Sequence, residues 1–373
     1  MRRSTIVGLT LAACIGSTLL AARRQSAPAR SPAWNPRAAA AYLDGRMDWW
    51  LTWPTAQRDH GTSCVSCHTV LPYALARPAL RGATAALADR AMPAPERRML
   101  EHVVTRVTLW KDVEPFYPDQ TRGLPKTSES RATEAIMNAL ILATRDAPSG
   151  TLSDEGRQAF ANLWPLQFKA GDQIGAWTWL NFHNEPWEAN GSPYFGNALA
   201  ALAIGTAPGG YAASPDIQDR LTLLQRYLQK GVTTESLYNR LTVLWASGTW
   251  TTLLTPEQRR AIVEATLAEQ RADGGWTMAS LGAWKRADGA ALDTKSDGLA
   301  TGLATLALQQ AGVPRSDAHL SRGLDWLAAH QDAATGMWSA SSLNRQRDPA
   351  SDVGKFMSDA ATAYAVLSLT NSR

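Results

Sequence analysis

The sequence predicts an all-α protein built as a double-layered helical barrel, an α/α toroid, and three observations carry that prediction. Helical periodicity runs through almost all of the 373-residue chain, while strand alternation is never sustained. Some predicted helices are apolar nearly all round and others carry a single apolar stripe, which sorts them into an inner and an outer layer. A Gln, a Gly-containing turn and a Trp also recur together at the ends of helical stretches.

Taken in order, helices are predicted over residues 38–50, 71–90, 95–111, 129–145, 153–164, 194–205, 214–230, 234–247, 256–269, 297–311, 316–330 and 357–370. Capping residues followed by an acid or proline mark starts at Ser153, Ser214, Thr255 and Ser316. Gly205, Gly231, Gly248 and Gly312 mark ends. Leu221, Leu224 and Leu228 form a stripe at helical spacing, as do Val263 and Leu267, and such stripes are core by default. The runs Ala198–Ala203 and Gly302–Leu308 are apolar nearly all round and belong inside.

The repeats read Gln270-Arg271-Ala272-Asp273-Gly274-Gly275-Trp276 and Gln331-Asp332-Ala333-Ala334-Thr335-Gly336-Met337-Trp338. Gly171–Trp177 looks like a degenerate third copy, whose Gln167 stands further off than the pattern allows. This motif resembles the Gln-Trp repeat of the squalene–hopene cyclase and protein prenyltransferase superfamily, and residues 194–373 are similar to that superfamily's toroid. What the resemblance implies for the Gln and the Trp is structural, an amide bonded to backbone and a ring packed over a turn. The catalytic signatures of the superfamily are missing. No Asp-x-Asp-Asp run occurs; Asp293-Thr294-Lys295-Ser296-Asp297 is nearest, with the wrong spacing and a lysine inside it. The diphosphate-binding Asp-Asp-x-x-Asp is absent too, and no Cys lies in the toroid to ligate zinc. A toroid without cyclase chemistry is expected, still with a central cavity suited to an apolar ligand.

The strongest chemical signal is Cys64-Val65-Ser66-Cys67-His68. Cys-x-x-Cys-His reads as an attachment site for one covalent haem c, with Cys64 and Cys67 each adding to a porphyrin vinyl group and His68 as axial iron ligand. A redox dithiol would sit in a βαβ unit, and a zinc site would need further Cys or His at ligand spacing. Neither surrounding is present. The third Cys, Cys14, lies in an apolar segment, so no disulfide framework is available.

That segment begins Met1-Arg2-Arg3, runs apolar from Thr5 to Ala22 and closes with Arg23-Arg24, as an export signal or N-terminal anchor does. Resemblance to c-type cytochromes, whose haem is attached outside the bacterial cytoplasm, implies a periplasmic protein, soluble or membrane-anchored. Leu11-Ala12-Ala13-Cys14 resembles a lipoprotein box; cleavage after Ala21 or Ala22, lipidation at Cys14 and an uncleaved anchor all stay open. The expected organisation is a signal or anchor over 1–22, a linker over 23–36, a haem-binding segment over 37–125 that contributes helices to the toroid, and the toroid over 126–373. A net charge of +4, with four Arg before residue 25, gives no basic surface for nucleic acid.

The sixth iron ligand is less determined. Met92, in a Met-Pro pair like the distal segment of cytochromes c, is the first candidate, since a thioether raises the potential of an electron-transfer centre. His60, His102 and His183 are alternatives, and a vacant position is another. Trp49, Trp50 and Trp53 are expected against the porphyrin. The loop Asn181–Glu188, with His183, Glu185 and Glu188, is the expected substrate or partner site. Three functions remain: an exported haem protein passing electrons to a protein or apolar redox partner, a haem enzyme acting on an apolar, isoprenoid-like substrate, and a terpenoid cyclase or prenyltransferase-like enzyme with an appended haem.

Overall fold

The computed structural model describes Met1 and residues 34–83 and 91–371. Cys14, the apolar run over 5–22 and the linker up to residue 33 lie outside the described residues. Thirteen helices are found among those described: α1 (Pro36–Thr52), α2 (Val70–Ala83), α3 (Ala94–Thr108), α4 (Thr127–Asp146), α5 (Asp154–Leu163), α6 (Ser192–Thr206), α7 (Gln218–Gly231), α8 (Leu237–Ala246), α9 (Pro256–Ala268), the single turn α10 (Met278–Leu281), α11 (Gly298–Gln310), α12 (Ala318–Ala329) and α13 (Phe356–Thr370). The only β pairing among the described residues is three isolated bridges. No described helix is long and apolar enough to cross a membrane.

Six of these helices close a ring. α2, α4, α6, α8, α11 and α13 each pack on the next, and α13 packs back on α2. α1, α3, α5, α7, α9 and α12 lie outside them. The chain alternates outer and inner helix throughout, which makes the inner helices parallel and yields a double-layered α/α toroid. Burial follows the sequence pattern. α6, α11 and α13 are buried on every side, whereas α7 buries only Leu221, Leu224 and Leu228.

Ser153 and Thr255 cap α5 and α9 as expected, Thr255 in a capping box with Gln258. Two starts differ. Asp317 rather than Ser316 accepts the first amides of α12, and Ser214 precedes a 3₁₀ turn, Pro215–Ile217, before α7 begins at Gln218. Gly205 falls inside α6, where it permits contact with Thr249, instead of ending the helix.

The Gln-Trp repeats stitch the outer layer. Gln270 Nε2 donates to Gly274 O of its own turn and to His319 O at the start of α12, both at 2.8 Å. Gln331 does the same to Gly336 O (2.9 Å) and Asn35 O (3.0 Å) ahead of α1. Gln167 repeats it on Gly175 O (2.9 Å) and Arg220 O (3.1 Å) in α7, so the copy that looked degenerate is a full one with a longer turn. Each Trp indole then donates to a carbonyl of the preceding outer helix: Trp177 to Leu163, Trp276 to Thr266 and Trp338 to Leu327. In each copy a left-handed Gly lies against the next outer helix. At Gly336 (φ 79°) a Cβ would come within 2.4 Å of Ala38 O.

Long connections lead from outer to inner helices, so residues 53–69, 109–126, 164–191, 269–297 and 330–355 gather at the rim around the N-termini of the inner helices. Glu185 and Asn344, on rim loops before α6 and α13, exchange two backbone–side-chain bonds of 2.6 and 2.8 Å.

Candidate functional site

The Cys-x-x-Cys-His loop joins α1 to α2 at this rim and is held from three sides. Arg106 of α3, wholly buried, pairs with Glu134 of α4 at 2.5 Å and donates to Asp59 (3.2 Å) and Thr62 (3.0 Å) of the loop. His102, one turn earlier on α3, bonds Ser63 Oγ at 3.0 Å. The Trp50 indole donates to Cys64 O at 2.8 Å, and Cys64 N–H donates to Ala56 O at 2.8 Å. Ser66 Oγ then accepts the amides of Thr69 and Val70 at the entry to α2. A serine between the two cysteines thus turns the loop into an inner helix and places Cys67 and His68 at its head.

His68 has a defined tautomer. Its Nδ1 lies 2.8 Å from Thr69 Oγ1, and that hydroxyl donates to Asp359 Oδ2 at 2.7 Å. Asp359 also receives Tyr42 OH at 2.8 Å and Arg46 Nε at 2.7 Å on Oδ1, and Arg46 Nη2 at 3.1 Å on Oδ2. Burial raises the Asp359 carboxyl above its ordinary value, against the pull of Arg46, Thr69 and Tyr42. The Arg46 guanidinium grips both of its oxygens, Nε on Oδ1 and Nη2 on Oδ2, and this two-point ion pair favours the carboxylate. Thr69 has one hydroxyl proton, spent on Asp359, so Nδ1 must carry the imidazole proton. Nε2 keeps its lone pair. Burial, with Arg46 and Arg347 nearby, holds the imidazole down to about 3, so it is neutral at physiological pH.

Aromatic rings surround it. Phe356 stacks on His68 at 3.8 Å between centroids, Trp50 meets it edge-on at 5.2 Å, and Trp187 lies at 6.1 Å. Trp49 and Trp53 stack on each other at 5.0 Å and pack against Phe356, one ring removed from His68. Trp187 donates to Tyr238 OH of α8 at 2.7 Å. Cys67 Sγ lies 3.8 Å from Met137 Sδ of α4. Both thiols are buried and free. Burial pushes Cys64 up to about 11 and Cys67 well above its ordinary value, the reverse of a reactive dithiol, which needs a stabilised thiolate.

Of the loop read as a substrate site, Glu188 faces this centre. Its backbone pairs with Asn184, and its carboxyl lies close enough to Cys64, Cys67 and Tyr117 to raise all three. Burial lifts Glu188 up to about 7, against the pull of Asn184, Arg122 and Lys126. Glu185 is raised by burial alone, and its backbone is engaged by Asn344. His183 is exposed and left-handed (φ 57°) on the outer side of the loop.

The structure does not bring Met92 to His68. Met92 lies beyond the far end of α2, just before α3, and is 37% exposed. Fourteen residues of α2 separate the two ends, a rise of about 20 Å. The Met-Pro pair serves as the entry to α3 instead. His60 is exposed, left-handed and paired with Asp59 at 3.1 Å, while His102 supports the loop from behind. Sequence reasoning missed Phe356, Thr69, Asp359 and Arg106. Three of these reach the site from other helices, and only Thr69, adjacent in sequence, offered a local signal.

Two thiols and an imidazole, the residue types of a haem c attachment site, lie side by side at the rim. No group of three or more His, Cys, Asp or Glu among the described residues converges on a metal position. A structural zinc site needs four ligands and is not built here. A porphyrin brings its own equatorial nitrogens, so of the protein it asks only two thiols and an axial ligand.

No family model and no curated protein matches the chain. Among solved structures it is similar to a glycosidase variant, with TM-score 0.45 and 12% identity over 89% of this chain and 97% of that one. It is likewise similar to the type II terpene cyclase MstE from Scytonema, with TM-score 0.45 and 14% identity over 90% and 98%. For the ent-copalyl diphosphate synthase from Streptomyces platensis the TM-score is 0.31 and the identity 16%, over 89% and 50%. The helix packing described above carries the architecture without them.

Proposed function

We propose that this chain is an exported c-type haem protein that performs electron transfer or related redox chemistry from the rim of an α/α toroid. One observation carries the reading: the motif that supplies both thiols and the imidazole heads an inner helix, with His68 neutral, its Nδ1 proton committed and its Nε2 free. Cys64 and Cys67 would hold the porphyrin through thioethers, each S–H adding across a vinyl double bond, and His68 would ligate the iron. Haem so bound supplies a one-electron centre. Trp50, Trp187 and Phe356 pack the imidazole and exclude water, and Arg106 holds the loop in register. The partner is a redox protein or an apolar small molecule, and the N-terminal signal directs the chain to the periplasm, soluble or anchored.

The placement of Met92 favours a second reading. With Met92 away from His68, and with Glu188 raised to about 7 beside the cysteines, the rim would suit a haem enzyme acting on an apolar substrate. The spectrum and carbon monoxide binding separate the two. A six-coordinate, low-spin haem that excludes carbon monoxide supports electron transfer. A five-coordinate, high-spin haem that binds it readily supports the enzyme.

A further inference from the structure

We infer that Asp359, acting through Thr69, is the positioning residue of the axial histidine. It fixes the His68 tautomer and strengthens Nε2 as an electron donor to iron. This rests on the haem reading for its consequence and on hydrogen bonds alone for its geometry. Asp359 lies 290 residues from Thr69 and one turn into α13, the last inner helix, which packs on α2. Its carboxylate is held by Arg46, which is itself anchored to the Asp352 side chain and carbonyl at 2.8 Å each, and by Tyr42. Arg46 and Tyr42 fix the carboxylate, the carboxylate fixes the Thr69 hydroxyl, and the hydroxyl can only accept from Nδ1.

Ligating histidines commonly direct their second ring nitrogen to a carboxylate or carbonyl, which orients the ring and raises its basicity. Here a carboxylate reaches the ring through an intervening hydroxyl. The closure of the toroid, α13 onto α2, therefore also sets the donor strength of the ligand. A chain whose last inner helix has not docked would lack both.

Thr69→Val removes the hydroxyl while keeping the shape of the side chain, and Thr69→Ser keeps the hydroxyl. In the haem-loaded full chain, Thr69→Val should raise the midpoint potential and lower the iron–histidine stretching frequency of the ferrous form. Thr69→Ser should restore both toward wild type, a rescue that a merely structural role would not give. Asp359→Asn should shift both in the same direction as Thr69→Val. A haem-free readout is the nitrogen-15 resonance pattern of His68 in the full chain carrying Cys64→Ala and Cys67→Ala. It should report the Nδ1–H tautomer, and adding Thr69→Val should admit Nε2–H. An Nε2–H tautomer in the Thr69 background overturns the relay. A correct tautomer response in that variant, together with a wild-type chain that acquires no haem when expressed with the maturation machinery, supports the relay and overturns the haem reading.

Discussion

Asn35 and Gln331 exchange a reciprocal pair of hydrogen bonds across 296 residues of chain: Asn35 N–H to Gln331 Oε1 at 2.6 Å, and Gln331 Nε2 to Asn35 O at 3.0 Å. Asn35 also caps α1, and Gln331 also holds the Gly336 turn. The side chain that holds the turn after the last outer helix is therefore tied to the residue that caps the first. Ring closure in the outer layer is a specific bond rather than general packing.

Gln331→Ala should accordingly cost more than a surface substitution, about 1 kcal/mol, because it removes three hydrogen bonds at the closure while leaving groups that water can reach. Gly336→Ala should also destabilise, since the left-handed backbone and the approach to Ala38 both oppose a Cβ. Chemical denaturation of each variant reads this. Midpoints equal to wild type would show that the closure contributes nothing.

Trp276→Ala and Trp338→Ala each delete a fully buried aromatic that donates to a helix end, which costs about 3–5 kcal/mol. The haem spectrum should stay unchanged in both, as neither ring touches the Cys64–His68 loop. Wild-type stability in either variant would undo the structural role assigned to the repeats, and an altered Soret band would undo their separation from the site.

Glu188 predicts a pH dependence of stability. Its folded value of about 7 lies above its ordinary 4.5, so its contribution is fully present below about pH 4.5 and is lost as pH rises through about 7. Glu188→Gln, which cannot ionise, should remove that loss and flatten the melting-temperature profile across this window. A variant profile parallel to wild type would contradict the buried, uncharged state.

Much of the fold was legible because helix formation is local. The all-round apolar runs at Ala198–Ala203 and Gly302–Leu308 lie in inner helices α6 and α11, and the stripe of Leu221, Leu224 and Leu228 faces inward from outer α7. Starts failed where two polar residues competed, as when Asp317 displaced Ser316 as the cap of α12. Gln167 looked too distant from Trp177 because spacing ignores loop length, whereas its amide needs only the Gly175 and Arg220 carbonyls. At the candidate site, Cys64, Cys67 and His68 lie within five residues, so their pattern is readable from the sequence alone. Phe356 and Asp359 come from α13, and nothing near either residue in the sequence tells of a histidine at the other end of the chain. Met92 was suggested by its neighbour Pro93, yet the direction of α2 carries it to the other end of the barrel.

The central claim is that Cys64, Cys67 and His68 hold one covalently attached haem, and the most direct test is an absorption spectrum paired with intact mass. The full chain is expressed with the c-type maturation machinery, recovered from the periplasm and extracted with acid–acetone. A Soret band and a mass increase of one haem per chain should survive the extraction, and Cys64→Ala or Cys67→Ala should leave little holoprotein. Periplasmic protein with both thiols titratable and no Soret band would contradict the account.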